Sequence, residues 1–228
     1  MMRLLAPLLF GLVGAGILIS LGVWQFQRLA WKEGVLAEIE SRIAAAPSKL
    51  PLIPDVNDDL YKSVAVTGQF GTGALKVLVS RKRIGAGHLI VSPFITDTGR
   101  VILVDRGFLK LDDALQGAPK GLVSLAGNLL WPDDRNSATP DNDIEGNIWF
   151  ARDLPQMAEM FGAEQTLLVV RDMSQSDRAV TPLPVDTTHI PNDHLQYAVT
   201  WFSLAFIWLV MTGYYIIKNR TPSRGASS

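Results

Sequence analysis

Asn192-Asp193-His194-Leu195-Gln196-Tyr197-Ala198-Val199-Thr200-Trp201 opens an apolar run that carries no charge from Tyr197 to Ile217. A second uncharged run, Leu4–Val23, exits as Trp24-Gln25-Phe26-Gln27-Arg28-Leu29-Ala30-Trp31-Lys32. The two runs hold 21 and 20 residues. A helix rising about 1.5 Å per residue needs about 20 residues to cross the hydrocarbon core of a bilayer, so both predict transmembrane helices. The first exceeds the roughly 7–15 residues of a signal-peptide core. No clear small-x-small cleavage site lies beyond it, although Gly14-Ala15-Gly16 sits in its middle. An uncleaved anchor is therefore expected rather than a cleaved secretory signal. Gly11 and Ala15 form a small-xxx-small pair, a pattern that lets two helices approach closely.

Two spans put both termini on one side. Arg3 precedes the first run, and Lys218, Arg220 and Arg224 come after the second without acidic neighbours. Positive charge near helix ends stays cytoplasmic. Arg28 and Lys32 argue the other way, but from a smaller cluster. The expected organisation is that of a two-pass inner-membrane protein with both termini cytoplasmic. A transmembrane helix covers 4–23, and a β-rich domain covers 24–196 on the periplasmic or intermembrane-space side. A second helix covers 197–217 and a cytoplasmic tail 218–228. The middle region carries 17 Lys and Arg against all 22 Asp and Glu, a net charge of −5. It offers no basic face for nucleic acid; the spans make membrane lipid the expected surroundings. The chain has no cysteine, which excludes disulfides, thiolate metal sites, iron–sulfur clusters and a cysteine nucleophile.

Within the middle region, Ser63–Phe70, Leu75–Ser80, His88–Thr96, Arg100–Phe108, Leu122–Leu130 and Gln165–Arg171 read as strands. Asp97-Thr98-Gly99 joins two of them as a hairpin turn. Glu33–Ala46 and Leu154–Phe161 read as helices, the second with Pro155 in its first turn. The fold class expected is a membrane protein. Two transmembrane α-helices flank a β-rich α+β extracytoplasmic domain with an antiparallel barrel or sandwich-like sheet.

Motifs for catalysis are missing. There is no G-x-S-x-G, H-E-x-x-H or phosphate loop. Gly85-Ala86-Gly87-His88 begins like a dinucleotide turn but lacks the third glycine. Asp141-Asn142-Asp143-Ile144-Glu145-Gly146 begins like a calcium loop, yet its twelfth position is Arg152 where a bidentate glutamate belongs. Asp55–Asp59 fails earlier, with Leu60 in place of glycine. Both read as acidic surface segments. His88 falls in a strand and His189 in a proline-flanked loop, and neither has a companion motif for zinc.

His194 differs because an aromatic series stands C-terminal to it. An ionisable ring at a lipid boundary is costly to retain without a purpose. At 100° per residue, Tyr197, Trp201 and Trp208 fall about 300°, 340° and 320° from it, on one stripe. Such a stripe can offer a flat apolar wall, and neutral imidazole is a common ligand for haem iron. The alternative is an interfacial aromatic belt with a snorkelling histidine, which explains Tyr197 better than the deeper Trp208. At the other mouth Trp24, Arg28 and Trp31 lie within about 60° of one another. Arg28 can stack on an indole or pair with an anion; an interfacial anchor explains the same residues equally well.

Four blocks carry a resemblance. They are Gly22-Val23-Trp24-Gln25-Phe26-Gln27-Arg28-Leu29-Ala30-Trp31-Lys32, Gly87-His88-Leu89-Ile90-Val91-Ser92-Pro93-Phe94, Val101-Ile102-Leu103-Val104-Asp105-Arg106-Gly107-Phe108 and His194-Leu195-Gln196-Tyr197-Ala198-Val199-Thr200-Trp201-Phe202. In this order they resemble the surfeit locus protein one family of membrane proteins that assist cytochrome c oxidase assembly. The resemblance implies a non-enzymatic role: binding haem a and helping its insertion into the catalytic subunit of a terminal oxidase. That subunit and haem a synthase are the implied partners. The family's iron-ligating histidine corresponds to His194, the metal-binding residue. Tyr197 and Trp201 would line the macrocycle, and Trp24 and Arg28 would complete the cofactor site, Arg28 at a propionate. Arg106-Gly107 reads as a structural turn or sheet edge. Other readings stay open: a haem-free scaffold for an oxidase intermediate, a factor for a haem-a-containing quinol oxidase, or a membrane enzyme acting on a lipid or quinone with His194 as acid–base.

Overall fold

A computed structural model describes residues 2–81, 84–188 and 190–220, with the side chains of 2–4 and 220 left aside. His189 and Arg224 lie outside the described residues. The chain divides into two compact units, one formed by residues 1–38 and 188–228 and the other by 39–187.

The first unit holds the last helix and all of the first but its final six residues, 39–44. Helix α1 runs Met2–Ala44 without interruption, so the helix expected over Glu33–Ala46 is its continuation and not a separate element. No proline falls between Val23 and Ala44 to stop it. Its 43 residues span roughly 65 Å, about twice a bilayer's hydrocarbon thickness. The last helix, α4, runs His194–Arg220 and begins at the histidine itself. Both helices are long and apolar enough to cross a membrane, and few of their apolar side chains are buried. Phe10 and Ile217 are 68% and 70% exposed. A water-facing surface of that kind is rare, because each exposed apolar side chain forgoes about 1.5–3 kcal/mol of burial.

The second unit is a sheet with small helices. Its strands are β1 (Ser48–Lys49), β2 (Ser63–Phe70), β3 (Leu75–Arg81), β4 (Gly85–Thr96), β5 (Val101–Lys110), β6 (Val123–Leu130), β7 (Ile148–Trp149) and β8 (Leu167–Met173). Helices α2 (Val56–Asp59) and α3 (Leu154–Phe161) complete it. The eight strands form one sheet in the order β1-β2-β6-β8-β5-β4-β3-β7. The far end of β4 also pairs with β2, from Gly68↔Thr96 to Phe70↔Phe94. The result is a folded-over sheet with β1 and β7 at its edges, not a regular closed barrel. Nor is it wholly antiparallel: β1–β2, β3–β7 and β5–β8 are parallel pairs.

The reason lies in two apolar runs, Val101–Val104 and Leu167–Val170. Both strands are buried on both faces, as parallel partners usually are. Leu103, Leu167 and Val169 point into one cluster with Val77, Leu89, Trp149 and Met157. Ile102, Val104, Leu168 and Val170 point into the other with Val64, Phe94 and Leu125. Helix α3 covers the first cluster through Leu154, Met157 and Ala158. It ends at Gly162 in the left-handed region, φ 59°. The predicted β4–β5 hairpin is present, with Thr96 N–H donating to Arg100 O at 2.8 Å across the turn.

The block at Asp105–Gly107 sits inside β5 and not at a turn or an edge. Its charges are buried and paired. Arg106, 1% exposed at its side chain, meets Asp177, 3% exposed, at 2.6 Å, and its Nε donates to the same carboxylate at 2.7 Å. Asp105 accepts from Gly107 N–H at 3.0 Å and from Arg152 at 3.3 Å. Burial pushes the Asp105 carboxyl up to about 6, against the opposing pull of Arg152 and the Gly107 N–H. Gly107 has φ +123°, and a Cβ there would run into the Thr181 carbonyl. Only glycine lets the 174–187 segment close over β5, where Phe108 and Thr181 exchange backbone hydrogen bonds. The two acidic segments prove to be local turn chemistry. Asp55 caps α2 by accepting from Asn57 N–H at 2.8 Å, and Asp143 accepts from Gly146 N–H at 2.9 Å. Among the described residues no three histidines or carboxylates gather as a metal site.

Candidate functional site

The first unit is an antiparallel helix pair, and its seam is legible residue by residue. On α1 the buried positions are Gly11, Ala15, Gly22 and Gln25. At 100° per residue they fall within about 80° of one another, a single stripe. On α4 the buried or half-buried positions include His194, Ala198, Trp201, Ala205, Trp208 and Thr212, alternating by four and three residues. That spacing keeps one face of a helix turned to a neighbour. Gly11 faces Thr212, Gly14 faces Trp208 and Gly22 faces Phe202, each so closely that an added Cβ would collide. Of the small-xxx-small pair, Gly11 meets Thr212 directly and Ala15 is buried in the same stripe, and Gly14 and Gly22 extend the close approach.

Trp208 lies in this seam. Its indole Nε1–H donates to the Gly11 carbonyl at 3.0 Å, and its ring meets Phe10 at 5.3 Å between centroids. In an apolar surrounding an unpaired indole N–H would be costly, so a backbone carbonyl is the natural partner. Trp208 therefore locks the two helices together. Trp201 is half-buried on the same seam.

At the end of the seam stands His194. Its Nδ1 is 2.8 Å from Oε1 of Gln25, and Gln25 is only 9% exposed. The first residue of α4 is thereby tied to α1 by a pair of polar side chains. A neutral imidazole bonded at one nitrogen offers a single lone pair at the other, suited to a metal ion or to a proton. The remaining predicted residues flank this pair on the outside. Tyr197 and Trp24 are each 54% exposed. Arg28 lies over Trp31, its guanidinium carbon 3.8 Å from the ring centroid. A guanidinium over a ring face can still donate N–H groups at its edge to a carboxylate. The seam thus brings His194 together with Gln25; Trp201 and Trp208 follow on the same face of α4, about two and four turns further along, while Tyr197, Trp24 and Arg28 face outward.

Gln25 is the residue that sequence reasoning passed over. The signal was available: it continues the phase of Gly11, Ala15 and Gly22, so it had to face whatever α4 presents there. His88 has no part in this. It is half-buried in β4, where burial, and then the charge of Lys76, holds its imidazole below the usual range.

A sequence model described as the SURF1 family matches residues 12–206, from within α1 to within α4. The chain belongs to the SURF1 family. Surfeit locus protein 1 of Homo sapiens is 32% identical over 217 residues, covering 83% of this chain and 72% of the human protein. The SURF1-like protein of Rickettsia bellii is 31% identical over 222 residues, covering 92% of this chain and 89% of its own. The SURF1-like protein of Rickettsia felis is 31% identical over 216 residues, with 90% and 92% covered. The family match contains both Gln25 and His194.

Proposed function

We propose that this SURF1-family protein is an assembly factor for a haem-copper terminal oxidase, with cytochrome c oxidase as its client. In this reading it binds haem a at His194 and aids its insertion into the catalytic subunit. The observation that carries the proposal is an imidazole anchored through one nitrogen at the end of an outwardly apolar helix pair, in a chain of this family. The residues present fit the cargo. His194 would hold the iron, since neutral imidazole is a common protein ligand for haem iron. Tyr197, Trp24 and Trp201 supply aromatic surface beside it, and Arg28 supplies a stacked cation for a propionate carboxylate. Trp208 takes no part, because its N–H is already committed to Gly11.

A transient carrier must release what it holds. One histidine ligand is weaker than two, and an outward-facing site lets cargo leave sideways within the bilayer. The two helices span the membrane, both termini lie in the cytoplasm, and residues 39–187 face the periplasm. The excess of positive charge at Arg3, Lys218, Arg220 and Arg224 supports that orientation. Haem a synthase is the proposed donor and the oxidase catalytic subunit the acceptor.

The test is purification of the full chain in detergent from cells that make haem a. A haem a absorption band in the wild type, with the oxidase catalytic subunit co-purifying, is the expected result. Wild-type protein that carries no haem while still holding the subunit would replace this reading with a haem-free scaffold.

A further inference from the structure

We infer that Gln25 is the positioning residue of His194: its side-chain oxygen holds the imidazole as the Nδ1–H tautomer and so presents Nε2 as the ligating nitrogen. The inference deepens the haem-carrier reading and rests on it for the ligand, but the tautomer itself does not.

The Gln25 side chain turns Oε1 to Nδ1 at 2.8 Å; an amide oxygen only accepts, so in this orientation the proton sits on Nδ1. The neutral ring then has its lone pair on Nε2 alone. Free imidazole side chains in water favour the opposite tautomer, so the protein must supply a reason for this one. Gln25 supplies it because it is 9% exposed and little water competes for its oxygen. Its position is fixed by the seam: Gly22, three residues earlier, is packed on Phe202, and Ala198, four residues after His194, is 2% exposed. Neither helix can rotate the pair apart without opening these contacts. A neutral amide also suits a carrier. A carboxylate at the same place would add imidazolate character and strengthen the iron bond, whereas an amide orients the ring without tightening its grip.

The experiment uses full-length protein in detergent, 15N-labelled at histidine, with His194→Ala assigning the resonances. At a pH well above the imidazole range, haem-free wild type should give the Nδ1–H pattern for His194. Gln25→Leu should shift it toward the Nε2–H form. A wild-type His194 already in the Nε2–H form, or a Gln25→Leu spectrum identical to wild type, overturns the inference. Haem a is then titrated in. Loss of a residue that orients a metal-bound histidine costs about 10–100-fold in affinity, and Gln25→Leu should fall in that range. Gln25→Glu, close in shape and suited to keep the fold, should retain the Nδ1–H pattern, bind haem a at least as tightly and lower its midpoint potential. Affinity and potential unchanged in both variants would also overturn the role. The correct tautomer in a wild type that binds no haem a would instead sink the carrier reading and leave the Gln25–His194 pair standing.

Discussion

Removing Asp177 should cost the sheet unit a large part of its stability, because its partner cannot follow it out of the core. Arg106 is 1% exposed in β5, and its guanidinium meets the Asp177 carboxylate at 2.6 Å and Ser92 at 3.4 Å, with the Phe70 ring 5.7 Å away. Asp177→Ala leaves that cation buried with a hydroxyl and a ring face for company. Breaking one side of a buried pair costs about 3–5 kcal/mol, whereas replacing both partners with apolar residues of similar volume is often close to neutral. For a chain of this size a loss of that order lowers the melting temperature by about 10 °C. The assay is denaturant unfolding of the full chain in detergent, followed by tryptophan fluorescence, with Trp149 fully buried in the sheet unit. Asp177→Ala should lose about 3–5 kcal/mol, and Arg106→Met with Asp177→Leu should recover most of it. A single-mutant loss under about 1 kcal/mol, or a double mutant that simply adds the two single losses, would refute the desolvation argument.

Three further outcomes rest on the same structure. Asp105 holds its proton up to about 6 in the folded state, against an ordinary carboxyl value of 3.8. The folded chain therefore binds the extra proton, and its stability should fall by up to about 3 kcal/mol as pH rises from about 4 to about 6. Asp105→Asn should flatten that slope in pH-dependent melting, and an unchanged slope would remove Asp105 as its source. Gly14→Leu would drive a side chain into the Trp208 indole. Overpacking of this kind costs roughly 1–3 kcal/mol, and a shift of tryptophan emission with lowered thermal stability in detergent should report it. Leu168→Ala opens the cluster between β5, β6 and β8, where Leu168 is fully buried; chemical denaturation should register a loss of about 2–5 kcal/mol.

The sequence carried much of this architecture because local signals and burial agreed. Ser63–Phe70 and Leu154–Phe161 form where their periodicity and Pro155 place them, and Asp97-Thr98-Gly99 turns as its composition demands. What the sequence hid were pairings. Val101–Val104 and Leu167–Val170 look alike as apolar runs, and nothing local says that they lie parallel to each other. Strands β1 and β7 have two residues each, too few for a period. The continuity of α1 through Ala44 was masked by a change from apolar to charged residues, which alters the solvent a helix meets but not its backbone. On α4, the helical wheel set Trp208 on the same stripe as His194, and only the partner helix shows that the indole is spent on Gly11, about four turns from the histidine. Gln25 illustrates the same limit: an amide gains its role from what faces it across the seam.

The most direct measurement is imidazole rescue at position 194. His194→Gly protein, purified from cells that make haem a, should lose the wild-type visible and electron paramagnetic resonance signature of histidine-ligated iron. Added imidazole should restore it, since the small ring can occupy the space beside Gln25. A His194→Gly spectrum that matches wild type without imidazole would contradict the account, because the iron would then be held elsewhere.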